Sequence, residues 1–191
     1  TRINFFGGDL EGVRQKLDYI QSLGANVIYL NPIFEAPSNH KYDTKNYYQV
    51  DPSFGGNQVL QKLIKAVHDR GMKLILDGVF NHCGEEFFAF QDALNNELES
   101  EYCNWFFVNH YPLTKKPLSY KCCGDADYLP KLNHGNEAVN QYFLDVGRYW
   151  LETYDIDGWR LDVPFKVQKA FWHSSAHLLA QAILFFHPDD N

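Results

Sequence analysis

The segment spanning residues 155–163 most constrains how this chain can fold, because it has the pattern of a strand with charges on one face. Side chains alternate between the two faces of a strand. Arg160 and Asp162 therefore share one face, while Trp159 and Leu161 point to the other. An arginine–aspartate pair is costly in a sealed core and useful in a cleft. The segment predicts a strand that ends at a functional edge of a sheet.

A second apolar run, residues 73–77, also closes on a carboxylate, Asp77, and is followed by Asn81 and His82. A third apolar run covers residues 26–30. Apolar strands that alternate with amphipathic helices predict an α/β fold with a parallel sheet and right-handed crossovers. Charged residues at the ends of such strands indicate a site at the C-terminal edge, where barrel enzymes have their active sites.

Four helices are predicted by apolar residues at helical spacing. The first has Asp9 as its N-cap and ends at Gly24, and the second ends at Gly71. The third covers about residues 139–149, and a fourth extends from about 166 to 186. Between the second and third strands lies an irregular stretch of roughly fifty residues, which is too long for an ordinary loop and predicts an inserted subdomain.

The number of strands is small for this kind of fold. A closed barrel has eight strands in about 250 residues, whereas this chain of 191 residues contains three clear strands. An open three-stranded sheet would expose two apolar edges. We therefore expect the chain to be a fragment of a longer protein.

The composition restricts the classes of partner. A formal net charge of −7 disfavours nucleic acid and anionic membranes, and no apolar run approaches the length of a membrane span. The aromatic share of 16% favours a carbohydrate ligand, because sugar rings stack on aromatic faces, although aromatic residues also fill cores. The spacing of the four cysteines fits no metal-ligand pattern; they are Cys83, Cys103, Cys122 and Cys123. It predicts free thiols in a cytoplasmic protein. One disulfide bond among them is an open alternative.

Four motifs in order and in register carry a family resemblance. Residues 77–82 and 158–162 resemble the first and second motifs of the α-amylase family of retaining glycoside hydrolases. Residues 40–43 are similar to the loop whose tyrosine stacks under the sugar at the cleavage site. Residues 129–133 resemble the extra motif of the long domain after barrel strand three. The Pro-Lys-Leu-Asn form of this motif is similar to the branch of cyclomaltodextrinases, maltogenic amylases and neopullulanases.

The resemblance implies a partial (β/α)8 TIM barrel that comprises about strands two to four with their helices. Residues 1–82 would form the N-terminal part of the catalytic barrel. Residues 83–135 would form the inserted subdomain between strand three and helix three. Residues 136–191 would continue the barrel and stop before strand five, so that the general-acid glutamate lies outside the chain.

The resemblance also implies roles for individual residues. Asp162 would be the nucleophile, and Arg160 would hold that carboxylate ionised and oriented. Tyr42 would be the stacking platform, His82 would form a hydrogen bond to the sugar, and Asp77 would be mainly a structural partner of Arg160. General chemistry agrees, because a cation within about 4–6 Å keeps a carboxylate ionised, and a retaining glycosidase needs such a carboxylate about 5–5.5 Å from an acid.

Other assignments are open at this point. His40 is a further candidate for substrate binding, and Asn81 is a candidate calcium ligand because this position binds calcium in some family members; no other cofactor is expected. Taken alone, Asp77 could be a turn cap, His82 a structural histidine and Tyr42 a packing residue. Phe165 and its neighbour, Lys166, stand where relatives have a small polar residue and a glutamate. The segment after Trp172 is unusually apolar.

The expected function is cleavage of α-1,4-glucans through a covalent glycosyl-aspartate, with cyclodextrins, maltodextrins, pullulan or starch as substrates. Two alternatives are open: a glucanotransferase with the same intermediate, and an inactive truncated sugar-binding remnant. We expect the chain alone to be inactive, because the acid is absent. Members of the suggested branch often dimerise, which leaves open a homodimeric parent. The expected partner is an α-glucan, with neither nucleic acid nor membrane.

Overall fold

The structure is a computed structural model that describes residues 1–5, 7–167 and Phe171. The strands are β1 (Val27–Leu30), β2 (Phe34–Glu35), β3 (Asn46–Val50), β4 (Lys73–Gly78), β5 (Cys122–Cys123), β6 (Ala126–Pro130) and β7 (Gly158–Leu161). The helices are α1 (Leu10–Gln15), α2 (Leu17–Ser22), α3 (Gly56–His68), α4 (Phe88–Asn96) and α5 (Glu137–Tyr154). No helix in this part of the chain is long and apolar enough to cross a lipid bilayer.

Three strands form the central sheet, in the order β1, β4, β7, and all of them are parallel. Tyr29 lies opposite Ile75, and Asp77 lies opposite Arg160. Helix α3 precedes β4 and helix α5 precedes β7, as expected for strand–helix–strand connections. The prediction of a parallel α/β sheet is therefore confirmed, and the register sets the carboxyl ends of β4 and β7 side by side.

The first predicted helix is divided into two. Asp9 is the N-cap as predicted, because its side chain accepts a hydrogen bond of 2.7 Å from the backbone N–H of Gly12. Lys16, however, has φ −101° and ψ 7°, which separates α1 from α2. Gly24 has φ +84° and follows the end of α2. The single helix predicted between Asp9 and Gly24 was wrong, since two short helices occupy this stretch.

Helices α3 and α5 agree with the predicted positions. Helix α3 buries the apolar side that the spacing indicated, namely Leu60, Leu63, Ile64 and Val67. Helix α5 begins after its N-cap, Asn136, and ends at Asp155, whose φ of +60° terminates it. The fourth predicted helix, at about 166–186, lies outside the described residues except for its first two positions and Phe171.

Aromatic side chains fill much of the core between the sheet and the helices. Trp150 of α5 stacks on Phe34 with ring centroids 5.1 Å apart and donates a hydrogen bond of 2.8 Å to the carbonyl oxygen of Tyr47. Trp159 packs against Phe80 at 5.3 Å. Trp159 therefore points into the buried core, on the side of β7 away from Arg160, as the alternation of the strand predicted. Part of the high aromatic content therefore serves packing.

The segment between β4 and α5 contains more regular structure than the sequence indicated. It includes α4 as well as an antiparallel hairpin of β5 and β6. A bridge between His82 and Lys131 joins the segment to the end of β4. Helix α4 was not predicted, although its buried residues Ala89, Phe90 and Ala93 anchor it. All four cysteines lie within the described part of the chain and are free thiols.

Asp157 joins β4 to the segment that enters β7. Its carboxylate accepts hydrogen bonds of 2.8 Å from the backbone N–H of Leu74 and from Nε2 of His68, and it pairs with Nζ of Lys73 at 2.7 Å. Burial acts to raise the pKa of Asp157, but these partners lower it below its ordinary value. The ionised Asp157 carboxylate therefore stabilises the fold above about pH 4, and this stabilisation is lost as the pH falls through the lowered pKa of Asp157.

We predict that Asp157→Asn lowers the free energy of unfolding at pH 7 by about 1–3 kcal/mol, because it removes the charge that Lys73 and His68 contact. Urea unfolding measures this. Asp125→Asn, the same change at an exposed turn position, is the matched control. Equal destabilisation by the two substitutions would contradict the role assigned to Asp157.

Candidate active site

Arg160 connects two carboxylates at the C-terminal edge of the sheet. Its Nη1 donates to both oxygens of Asp77, at 3.2 and 3.0 Å, and to Oδ1 of Asp162 at 3.0 Å. Asp77 lies opposite Arg160 across β4 and β7, and Asp162 follows on the same face two residues later. The structure thus brings together the three charged side chains that the sequence singled out.

The two carboxylates differ in their access to solvent. The side chain of Asp77 is 0% exposed and that of Asp162 is 13% exposed, whereas Arg160 is 43% exposed. Burial raises the pKa of Asp77 and outweighs the opposing effects of its hydrogen bond from Tyr29 and of the Arg160 charge. Burial acts to lower the pKa of Arg160, but the Asp77 carboxylate raises it above its ordinary value. Only Asp162 of this pair is open to a ligand.

Tyr29 is a member of the site that sequence reasoning missed. Its hydroxyl donates a short hydrogen bond to Oδ2 of Asp77, and burial together with Asp77 raises the pKa of Tyr29. The residue lies in β1 within the run of residues 26–30, which the sequence analysis treated only as an apolar strand. A signal was present, because Tyr29 carries the only polar side-chain tip between Val27 and Leu30.

Tyr42 reaches the same carboxylate from a loop. Its hydroxyl lies 3.3 Å from Oδ2 of Asp77, and its backbone N–H donates to Nδ1 of His40 at 3.1 Å. The rings of His40 and Tyr42 have centroids 5.9 Å apart. Burial, followed by the charges of Asp77 and Asp162, raises the pKa of Tyr42. The structure therefore places Tyr42 against Asp77, with His40 next to it.

His82 lies in the buried floor of the site. It is 2% exposed, and Nδ1 lies 3.2 Å from the side-chain amide nitrogen of Asn81. Burial lowers the pKa of His82 to about 4, against the opposing charge of Asp162. The ring is therefore neutral at pH 7. Among the described residues, Nε2 has no hydrogen bond of good geometry, so one hydrogen-bonding position of the ring is unused.

Calcium was left open at Asn81, and the structure allows a test of fit. The side-chain oxygen of Asn81 is buried without a hydrogen-bond partner, as a metal ligand would be. Calcium, however, takes six to eight oxygen ligands that usually include carboxylates. Among residues 1–5, 7–167 and 171, no group of three or more His, Cys, Asp or Glu side chains could hold a metal ion. The described residues therefore supply no cluster of carboxylates for calcium, and no chemistry is assigned to it.

The chain after Asp162 turns sharply. Val163 has φ +39°, a conformation that a β-branched residue rarely adopts. A short 3₁₀ turn, Pro164–Lys166, follows, and its Phe165 is 81% exposed. Nζ of Lys131 donates to the carbonyl oxygen of Lys166 at 3.1 Å. The segment in which the sequence departs from the family pattern thus lies directly beside the open carboxylate.

A separate cavity of about 610 Å³ lies on the other side of Tyr42, between the first two helices and the end of β1. Its lining is mostly apolar and includes Leu10, Val13, Ile20, Leu30 and Phe54. Neither Asp77 nor Asp162 lines it. Tyr42, which contacts Asp77, lines this cavity together with its neighbour His40.

A partly exposed carboxylate at the C-terminal edge of a parallel α/β sheet, held by an arginine, fits the active site of a barrel-type glycosidase. The profile of the alpha amylase catalytic domain matches residues 3–177 of the sequence. The chain belongs to the α-amylase family.

Similar proteins agree with the branch that the motifs indicated. The chain is 46% identical over 190 residues to a cyclomaltodextrinase of Geobacillus thermopakistaniensis (strain MAS1). This match covers 99% of this chain and 32% of the relative. It is 49% identical over 170 residues to a maltogenic alpha-amylase of Bacillus acidopullulyticus. This match covers 88% of this chain and 29% of the relative. The chain spans about a third of the length of these curated relatives.

The fold is similar to that of a solved enzyme structure. The ligand-free cyclic alpha-maltosyl-(1→6)-maltose hydrolase from Arthrobacter globiformis superimposes with a TM-score of 0.90 at 44% sequence identity. The match covers 95% of this chain and 42% of that chain. The resemblance drawn from the sequence motifs is therefore confirmed at the level of the family.

We predict that His82 makes the fold sensitive to acid. Because its pKa is lowered to about 4, its stabilising effect is present above about pH 6.5 and is lost as the pH falls toward 4. Relative to His82→Gln, the wild-type chain should lose about 2 kcal/mol of unfolding free energy between pH 7 and 4.5. Denaturant unfolding at both values measures this, with His110→Gln, at an exposed position, as the control. Parallel pH profiles for the wild type and His82→Gln would contradict the prediction.

Proposed function

We propose that this chain is part of the catalytic (β/α)8 barrel of a retaining glycoside hydrolase that acts on α-1,4-glucans. The proposed substrates are cyclodextrins, maltodextrins, pullulan or starch. Family membership and the names of the relatives support this class of substrate. The similarity to less than half of a solved hydrolase supports a partial barrel. In this proposal residues 1–82 and 136–191 belong to the barrel, and 83–135 form the inserted subdomain.

The observation that carries the proposal is the partly exposed, arginine-bound carboxylate of Asp162. Its Oδ1 accepts from Arg160 at 3.0 Å, and Oδ2 forms no hydrogen bond with any described residue. Oδ2 would bond to the anomeric carbon while the glycosidic bond breaks, and the bonding electron pair would leave with the glycosidic oxygen. Water would then displace the aspartate from the opposite face, which retains the configuration.

Arg160 would keep the nucleophile ionised and oriented. A positive charge at hydrogen-bonding distance favours the carboxylate form, and the raised pKa of Arg160 keeps it charged at neutral pH. Asp77 would hold the guanidinium group of Arg160, and Tyr29 would hold Asp77 through its hydrogen bond to that carboxylate. Because the Asp77 side chain is fully enclosed, we assign it support of Arg160 and no contact with the sugar.

Tyr42 and His82 would bind the sugar ring. The hydroxyl of Tyr42 is held at Asp77, which leaves the ring fixed beside the nucleophile, where a pyranose can stack on its face. His82 is neutral, and its Nε2 is enclosed and unpaired among the described residues; its bond to a sugar hydroxyl is proposed from the family motif at residues 77–82. His40, next to the Tyr42 ring, would contact the sugar at the same end.

The leaving oxygen needs a proton from a general acid about 5–5.5 Å from the nucleophile. Among the described carboxylates, Asp77 is the one that shares Arg160 with Asp162, and its role as support excludes it. We therefore propose that the acid is a glutamate elsewhere in the whole protein. We also propose a cytoplasmic location, which the four free thiols support, because thiols stay reduced in that compartment.

Asp162→Asn in the whole enzyme tests the proposal. It should lower kcat for maltodextrin hydrolysis by roughly 10⁴-fold, since an amide is a poor nucleophile, and KM should change little. Initial rates of sugar release measure kcat, and circular dichroism confirms folding. Asp155→Asn, the same change at an exposed position, should keep the wild-type rate. A folded Asp162→Asn enzyme with near-wild-type kcat would remove Asp162 from the nucleophile role.

Arg160→Lys tests the proposed positioning of the nucleophile. Lysine keeps the charge, but its flexible ammonium lacks the rigid planar group that fixes Nη1 between the two carboxylates. We expect kcat/KM to fall by roughly 10²-fold. Arg148→Lys, on the exposed side of α5, is the matched control and should leave kcat/KM within about twofold of the wild type. Equal effects of the two substitutions would show that the contacts of Arg160 do not matter for turnover.

A further inference from the structure

A buried lysine lies next to the proposed sugar platform, and the chemistry described so far does not use it. Lys41 is 2% exposed, although lysine is almost never fully buried unless it is paired. Its Nζ forms an ion pair with Asp51, and the ring centroids of Phe5 and Phe54 lie 5.1 and 5.6 Å from this nitrogen. The ammonium group is thus enclosed between one carboxylate and two aromatic faces.

The backbone of Lys41 is held in a conformation that non-glycine residues seldom adopt, with φ +62°. Its N–H donates to Oγ of Ser38 at 3.2 Å, and its carbonyl oxygen accepts from Oγ1 of Thr44 at 3.2 Å. On the other side of Tyr42, Asp43 is also buried and accepts a short hydrogen bond from Ser38. Buried polar anchors therefore flank Tyr42 in the chain on both sides.

Asp51 connects this loop to the end of β3. One of its oxygens, Oδ1, accepts hydrogen bonds from the backbone N–H and the hydroxyl of Ser53, at 2.9 and 2.6 Å. The other oxygen pairs with Lys41. Burial acts to raise the pKa of Asp51, but Lys41 and Ser53 lower it below its ordinary value. The carboxylate is therefore ionised and fixed, and it gives the Lys41 ammonium a rigid point of attachment.

We propose that Lys41 is a positioning residue whose buried ammonium, held by Asp51 and by the carbonyl of Ala36 at 2.9 Å, fixes the backbone before Tyr42 and so orients the Tyr42 ring. This inference rests on the proposed function, in which Tyr42 is the stacking platform. A small rotation of the backbone at Lys41 would move the ring relative to the nucleophile. Removal of the ammonium should therefore affect binding of the sugar through Tyr42.

A double-mutant cycle in the whole enzyme tests this step. Lys41→Met keeps the apolar stem and removes the ammonium, and Tyr42→Ala removes the ring. We expect Lys41→Met to raise KM for maltodextrins by roughly 10-fold with kcat within about twofold, since stacking contributes to substrate and transition-state binding alike. In the Tyr42→Ala background the same substitution should change KM by less than about twofold, because its target is gone.

Loss of folded enzyme would give a different result. Partial unfolding lowers the concentration of active molecules, so it reduces the apparent kcat and leaves KM unchanged. All variants are assayed well below their melting temperatures. If Lys41→Met does not fold, Asp51→Asn removes the partner charge without changing side-chain volume and should give the same KM effect with the same dependence on Tyr42. Lys45→Met, which breaks a partly exposed ion pair in the same loop, should leave KM within about twofold.

Two kinds of failure can be told apart. If Tyr42→Ala raises KM strongly, but Lys41→Met and Asp51→Asn change KM equally in both backgrounds or not at all, Lys41 does not act through Tyr42 and only this inference fails. If Tyr42→Ala leaves KM and kcat unchanged, Tyr42 is not the stacking platform, and this contradicts that part of the proposed function. The inference holds only if the effect is present with the Tyr42 ring and absent without it.

Discussion

The contacts of one guanidinium group determine how this site is built. Nη1 of Arg160 lies 3.0–3.2 Å from oxygens of both Asp77 and Asp162. A carboxylate as enclosed as Asp77 would be costly without a partner, and Arg160, Tyr29 and Tyr42 supply its hydrogen bonds. The same guanidinium holds Asp162, which stays partly open. The contacts of Arg160 thus enclose Asp77 as a support and leave Asp162 able to contact a ligand.

The fold supports this pairing at both ends of the sheet. The parallel register sets Asp77 opposite Arg160 at the carboxyl end. Near the amino end, Asp157 links the approach to β7 with the first residues of β4 through the backbone of Leu74. Between these two points, Trp159 packs into the aromatic core on the side away from Arg160. A shift of β7 by one residue would exchange these faces, so core packing and the site require the same register.

The sequence predicted the elements whose periodicity is strong. The three parallel strands, helices α3 and α5 and the Asp9 cap follow from apolar spacing and capping chemistry. The break at Lys16 was missed because lysine is a good helix former and gives no local signal. Helix α4 was missed because its short stretch is only weakly amphipathic. Tyr29 was hidden within an apolar run, and Lys41 was overlooked because lysine is usually exposed.

The roles of Asp162, Tyr42 and His82 come from the resemblance and stay predictions, since geometry shows proximity and not turnover.

Covalent trapping of the glycosyl-enzyme identifies the nucleophile. A maltosyl fluoride with a fluorine at C5 of the reacting ring has a leaving group that needs no proton, and the ring fluorine slows release of the glycosyl-enzyme. After reaction with the whole enzyme, proteolysis and mass spectrometry identify the modified peptide. We expect one added maltosyl group that still carries the C5 fluorine, attached to Asp162 in the peptide that contains this residue. A glycosyl group on Asp77 or on any other carboxylate, with Asp162 unmodified, would contradict it.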